Sequence, residues 1–337
     1  MLTFDESRLD DPAVLAGADS LLRPLAEAGA RLRRDAAESH EAIDSLAGES
    51  RPRAVIAVGP EARLLRAVLE PTCPVPFVAW SVGNLPGWVG PLDLVIVLGG
   101  EGCDASGARE ALRRGARLIV VAPPDSLLAQ ESASRATTLL PVLTSDPFPA
   151  AIVALAALQR LGLGEETDPA GVADALDAVA TASGYTLDLA ANPAKTLAIE
   201  LADAQPLVWG ASVLAARASR RIAEAVRTAS GRVALAADAG ELLPILAAVN
   251  RRDPFADPVE GEWEDRPTLV IVDDGYDDET ARGRRDALLA NAEAADVRVT
   301  TIAAPTGSTL SRYATVLASG RFAAAYLQIG LGRERRR

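Results

Sequence analysis

The stretch LDLVIVLGGEGCDASGAREALRRGARLIVVA, Leu92–Ala122, reads as a strand, a glycine-rich turn, a helix and a second strand. Its two apolar runs are nearly continuous rather than alternating, as strands covered on both faces require. Between them, SGAREALRRGA spaces its apolar residues three and four apart, the period of a helix lying on such a sheet. A strand, a helix and a strand in succession give a parallel pair, and hence a layered α/β fold.

Outward from this unit the same punctuation recurs. Short apolar runs bounded by Gly or Pro fall at 53–59, 75–80 and 137–142 on either side of it. A second series follows at 206–211, 232–237, 267–274 and 297–303, with helical stretches between. The first fifty residues have helical periodicity, and the apolar 148–164 reads as a long helix closing the first series. EETDPAG, 165–171, reads as a linker, and the proline-bearing 251–267 as a surface loop. A chain of 337 residues accommodates two domains of about 150 residues. The expected division is 1–165, with its leading helices, and 166–337. No sequence repeat relates the two.

Hydrophobic residues make up 49% and charged residues 24% of the chain, the balance of a soluble globular protein. A net charge of -12 argues against nucleic acid as a partner, since a phosphate backbone demands a concentrated basic surface. The one basic run, Arg333–Arg337, reads as a solvated terminus. Cys73 and Cys103 have no metal-ligand spacing, so neither a disulfide framework nor a zinc site is expected. The acidic N-terminus does not read as a signal sequence, and no apolar run approaches the ~20 residues that span a bilayer. These features predict a cytoplasmic protein with no membrane partner.

Three groupings bear on chemistry. Gly100–Ala105 fits the G-x-G-x-x-A dinucleotide turn, with Asp125 in the place of the ribose-binding acid. The alternative is a tight turn holding no dinucleotide, because Asp125 lies beyond Pro123 and Pro124, and Glu101 and Asp104 would face the pyrophosphate. Asp273, Asp274, Asp277, Asp278 and Glu279 form an acidic group that either binds Mg²⁺ or caps the following helix; capping is the expectation. No metal site is expected. His40, the only histidine, lies among Glu38 and Glu41 and reads as a surface residue. Ser-His-Asp hydrolysis and Glu-x-x-His metal chemistry are thereby excluded.

Four motifs in order carry a family resemblance. They are Leu85-Pro86-Gly87-Trp88-Val89 before a strand, Asn192-Pro193-Ala194-Lys195 with Leu197-Ala198, the strand and helix PLVWGASVLAARASRRIAEAVR (206–227), and Gly307–Gly330 with Tyr326-Leu327. Over roughly 75–330 the chain resembles the bifunctional phosphoglucose/phosphomannose isomerases, which are built from two sugar-isomerase (SIS) domains. The resemblance implies an α/β fold of two SIS-type domains, each a parallel sheet flanked by helices. It implies Glu224 as the proton-transfer base. It implies ligand contacts from Gly59, Gly100, Glu101, Gly102, Cys103, Asp104, Ser106, Lys195, Arg217 and Arg227. It also implies a sugar phosphate as partner, no cofactor, and a homodimer.

The departures from the family bear on turnover. The family's phosphate loop, Ser-Gly-Asn-Thr, aligns with Glu101, Gly102, Cys103 and Asp104, so two carboxylates replace two hydroxyls. At 4 Å, like unit charges repel by roughly 4 kcal/mol at an effective dielectric near 20. The earlier glycine-serine loop aligns with Val58-Gly59-Pro60-Glu61, again with an acid for a serine. The ring-opening histidine expected near Glu241–Asn250 is absent, and the chain stops before the family's lysine-bearing final helix. The expectation is a carbohydrate-derivative binding protein with weak or lost aldose–ketose isomerase activity. The alternatives are an active isomerase using Glu224 as base and a dinucleotide binder using the Gly100–Ala105 turn.

Overall fold

The computed structural model describes residues 3–80, 84–100, 105–143, 146–249 and 266–333. All the apolar runs singled out in the sequence are strands: β1 (Val55–Val58), β2 (Phe77–Trp80), β3 (Leu94–Leu98), β4 (Arg117–Ala122), β5 (Thr137–Pro141), β6 (Ala204–Gly210), β7 (Leu235–Ala236), β8 (Arg266–Asp273) and β9 (Arg298–Ala303). Every pairing between them is parallel. The helices are α1 (Pro12–Gly17), α2 (Asp19–Ala26), α3 (Ala28–Glu38), α4 (His40–Ser45), α5 (Ala62–Leu69), α6 (Ser106–Arg113), α7 (Leu127–Glu131), α8 (Pro147–Arg160), α9 (Pro169–Ala182), α10 (Pro193–Glu200), α11 (Val213–Ser230), α12 (Ala239–Ala247), α13 (Glu279–Ala294) and α14 (Thr309–Gly330). The expected surface loop 251–267 lies almost wholly outside the described residues.

The chain forms two compact units, Ala28–Ala173 and a second made of Met1–Glu27 with Asp174–Arg337. The sequence division places the leading helices in the first domain. In the structure, residues up to Glu27 group instead with the C-terminal half. The reason is local. Leu9 is fully buried there, Asp5 N–H donates to Gly330 O at 2.9 Å, and Arg8 Nε donates to Ile329 O at 2.8 Å.

In the Ala28–Ala173 unit the sheet order is β2-β1-β3-β4-β5. The central strand β3, LVIVL, is buried along its whole length, matching its uninterrupted apolar sequence. Helices α5 and α8 pack on one face and α6 and α7 on the other. Ile56, Val95, Val97, Leu118 and Val120 meet Ala108 and Ala111 of α6, whose small side chains let the helix approach closely. Helix α8 is buried on nearly all sides because α3, α4 and α5 cover what the sheet does not. Its apolar composition follows from that burial.

In the other unit the order is β7-β6-β8-β9. Helices α11 and α14 cover one face. On the opposite face Leu207, Trp209, Leu269 and Ile271 pack against Leu242 and Leu246 of α12 and Leu288 and Ala292 of α13. The α/β class and the two helix-flanked parallel sheets expected from the sequence are therefore both present.

Candidate functional site

Where strand order reverses in an open parallel sheet, the loops leave toward opposite faces and a crevice opens at the carboxyl ends of the strands. In the Ala28–Ala173 unit that point lies between β1 and β3. Gly59 follows β1 with φ +121°, a region open essentially to glycine, and a Cβ there would lie 2.4 Å from Leu98 O. Across the crevice, a Cβ on Gly100 would lie 3.1 Å from Pro60 Cγ. The Gly59 turn thus packs closely on the end of β3, and Gly100 lies against the Pro60 ring. Ser106 opens α6 beside it and is partly buried. Glu101, Gly102, Cys103 and Asp104, the rest of the expected loop, lie outside the described residues. Glu61, next to the turn, is 1% exposed.

The segment leading to β3 is held by two arginines. Arg53 donates through Nε and Nη2 to the buried Asp93, at 2.9 and 2.6 Å, and through Nη2 to Trp88 O. Glu110 of α6 accepts from Leu85 N–H at 2.8 Å and pairs with Arg114, which donates to Pro86 O. The Leu85 amide is the main cause holding the Glu110 carboxyl below its ordinary range, with the Arg114 guanidinium adding to it against the opposing effect of burial.

The remaining expected site residues lie in the other unit. Asn192 caps α10, accepting from Ala194 and Lys195 N–H at 3.1 Å each, while Pro193 takes the first helical position. Lys195 is fully buried. Its ammonium donates to Asp10 Oδ1 at 2.7 Å, Leu187 O at 2.7 Å and Tyr185 O at 3.4 Å, and it sits 5.8 Å from the Tyr326 ring centroid. An ammonium has three N–H donors, and all three are used. Tyr326 is itself fixed, its hydroxyl donating to Ser183 O at 2.7 Å; burial pushes its pKa up to about 12. The Asp10 carboxyl is held below its ordinary range, chiefly by the hydrogen bond from Lys195.

Helix α11 carries Arg217, Glu224 and Arg227. Arg217 is buried at 9% exposure, and Arg227 donates to Ala234 O at 2.7 Å. Glu224 is on the outer face, its side chain 53% exposed and its Oε2 accepting from Arg221 at 2.5 Å. His40, on α4, is 76% exposed at its side chain and pairs with Asp44 at 3.3 Å. With Ile43, Val153 and Ala156 it lines a cavity of about 350 Å³ that includes no strand residue. The acidic loop after β8 caps α13, Asp278 accepting from Ala281 N–H at 2.6 Å. Among the described residues no group of three His, Cys, Asp or Glu side chains has metal-binding geometry.

Sequence reasoning missed Asp10, 185 residues from the lysine it pairs with. It also missed the hydrogen bond from Ser212 to Asp274 across the reversal point of the second sheet. The sequence offered no signal for Asp10; for Ser212, the step from strand to helix marked a cap and no more.

Residues 190–334 match the model of the bacterial phospho-glucose isomerase C-terminal SIS domain. The C-terminal stretch 190–334 is thus similar to a SIS domain. Solved structures extend the likeness of fold across both sheets. A tagatose-6-phosphate ketose/aldose isomerase from Escherichia coli aligns over 94% of each chain at 14% identity, with a TM-score of 0.67. The C-terminal domain of glucosamine-fructose-6-phosphate aminotransferase from Francisella tularensis aligns over 93% of this chain and 96% of its own at 13% identity, with a TM-score of 0.66. A glucose-6-phosphate isomerase like protein from Thermus thermophilus aligns over 88% of this chain and 89% of its own at 19% identity, with a TM-score of 0.54. No curated protein matches the chain in sequence. The motif resemblance is thus matched over 190–334 by the family model, and the two helix-flanked parallel sheets are present in the fold. No helix among the described residues is long and apolar enough to cross a membrane.

Proposed function

We propose that this SIS protein binds a sugar phosphate or related carbohydrate derivative in the crevice between β1 and β3, with aldose–ketose isomerisation weak or lost. The observation that carries the reading is the reversal of strand order between β1 and β3, where the Gly59 turn packs on the end of β3 and Ser106 opens α6. Glu61 beside this turn and the carboxylates of the following sequence oppose a dianion, so weak affinity is expected.

Three further observations support loss of turnover. Glu224 is exposed and engaged with Arg221. Lys195 has every donor spent on structure. The single histidine lies on α4 and pairs with Asp44. A positioned acid–base group contributes roughly 10²–10⁴ in rate, and ring opening requires one. The same reading takes the protein to be a cytoplasmic homodimer.

The test is a coupled assay with mannose 6-phosphate, glucose 6-phosphate and fructose 6-phosphate, paired with thermal-shift titrations of the same sugars and NAD. Stabilisation by the sugar phosphates without turnover is the expected result. Turnover abolished by Glu224→Gln would establish the active-isomerase alternative, and a shift with NAD alone the dinucleotide alternative. Sedimentation velocity tests the dimer, which a single species at the 35.0 kDa chain mass would rule out.

A further inference from the structure

The second sheet also reverses order, between β6 and β8, and polar side chains gather at its carboxyl ends beside Gly210 and Gly275. Ser212, the cap of α11, donates to Asp274 Oδ2 across the reversal point. Asp274 is 5% exposed, and its Oδ1 accepts from Tyr276 N–H at 3.3 Å. Two of the arginines nearby are matched to acids of the same loop, Arg282 to Asp277 at 3.0 Å and Arg285 to Asp273 at 3.2 Å. Asp278 is taken by Ala281 N–H and by the Tyr276 hydroxyl.

Arg312, on the first turn of α14, differs from these. Its guanidinium lies over Gly275, where a Cβ would sit 3.0 Å from Nη1, and it makes no hydrogen bond or ion pair among the described residues. Its Nε is shielded from solvent without an acceptor. A buried donor left unmade is costly, and such an atom in a native structure calls for an explanation, an unplaced ion among them. Asp274, the residue preceding Gly275, bonds instead to Ser212 and the Tyr276 amide. An oriented carboxylate and a guanidinium with no partner among the described residues thus flank Gly275. Val213 and Tyr276, 65% and 46% exposed, lie at the ends of the same two loops.

We propose that the carboxyl ends of β6 and β8 form a second ligand site, separate from the β1–β3 crevice. It would take a small oxyanion bearing hydroxyl groups. Arg312 binds the phosphate or carboxylate through its planar fork, and Asp274, oriented by Ser212, accepts from a neighbouring hydroxyl. Phosphate and carboxylate share this chemistry, and two probes separate them.

The test is amide and arginine-side-chain NMR of the full chain titrated with inorganic phosphate and, separately, with glycerate. Saturable shifts are expected at Ser212–Leu214, Gly275–Tyr276 and Arg312 Nε. Arg312→Gln should weaken that response roughly 10–100-fold, and Asp274→Asn should weaken glycerate more than phosphate. A spectrum otherwise superimposable on wild type shows that each variant folds. Asp274→Ala serves in the same role if the asparagine perturbs the loop. Saturation unchanged by Arg312→Gln, or no shift at these residues with either probe, would overturn the site. Shifts confined to Gly59, Gly100 and Ser106 would overturn it while leaving the proposed function intact.

Discussion

At the carboxyl ends of β1 and β3 the chain closes in: a Cβ on Gly59 would collide with Leu98 O, and one on Gly100 would press on the Pro60 ring. At the corresponding ends of β6 and β8, beside Gly210 and Gly275, polar side chains gather, with Ser212 bonded to Asp274 and Arg312 lying over Gly275. A Cβ on Gly210, at the end of β6, would meet Ala215 at 2.5 Å, inside the turn into α11. In both units a glycine lets protein close in, Gly59 onto Leu98 of the neighbouring strand and Gly210 onto the turn into α11. What differs between the two reversal points is the set of polar side chains gathered beside them.

The most severe way to break the comparison is Gly59→Val. A β-branched residue at φ +121° with a contact of 2.4 Å to Leu98 O should cost more than about 3 kcal/mol. Denaturant titration measures the loss, and hydrogen exchange should locate it in β1 and β3. Protection unchanged in those strands would refute the close packing of Gly59 on Leu98.

Asp10→Asn comes next, and it tests what supports the second unit. It leaves the buried Lys195 ammonium with two carbonyls and no counter-charge, for an expected loss on the order of 2 kcal/mol given the half-exposed position of Asp10. The pH dependence has a definite sign. Because the folded Asp10 carboxyl titrates below its ordinary range, its contribution is complete above about pH 4 and disappears as pH falls through the lower folded value. The variant should therefore lose stability at neutral pH and show a shallower acid limb. An acid limb identical to wild type would remove Lys195–Asp10 from the account.

Ser212→Ala sharpens the contrast directly. It deletes the cap of α11 and the donor to Asp274, at a cost of about 1 kcal/mol, and frees Asp274 to turn toward Arg312. Thermal unfolding measures the first effect, and the Arg312 Nε resonance reports the second. The smallest effect belongs to Glu224→Gln, which removes one exposed pair on a helix surface and should change stability by less than about 0.5 kcal/mol. A loss several-fold larger would mean that Glu224 has a structural role that its contacts do not reveal.

Much of this was legible in the sequence. Continuous apolar runs become buried parallel strands because both faces of each sheet are covered, as β3 illustrates. Asn192-Pro193 reads as a helix start because the asparagine oxygen and the proline ring satisfy the same local geometry. The family resemblance makes Lys195 a ligand contact, and its sequence neighbours give no reason to expect a buried brace. Its partner lies near the other end of the chain, and only burial makes that pairing obligatory. Glu224 keeps its place in a motif, but its exposure is set by which face of α11 turns toward α14.

By itself the sequence determined the α/β class, the nine strands, the caps and the SIS-domain resemblance, all of which depend on periodicity and contacts within a few residues. Tertiary structure alone decided that the residues up to Glu27 join the C-terminal half rather than Ala28–Ala173. It also decided that Asp10 neutralises Lys195, that Gly59 packs on Leu98, and that Asp274 bonds to Ser212 rather than to Arg312. These are choices among partners distant in sequence. Desolvation penalises a buried charge or donor that lacks a partner, and the folded chain settles which partners are within reach.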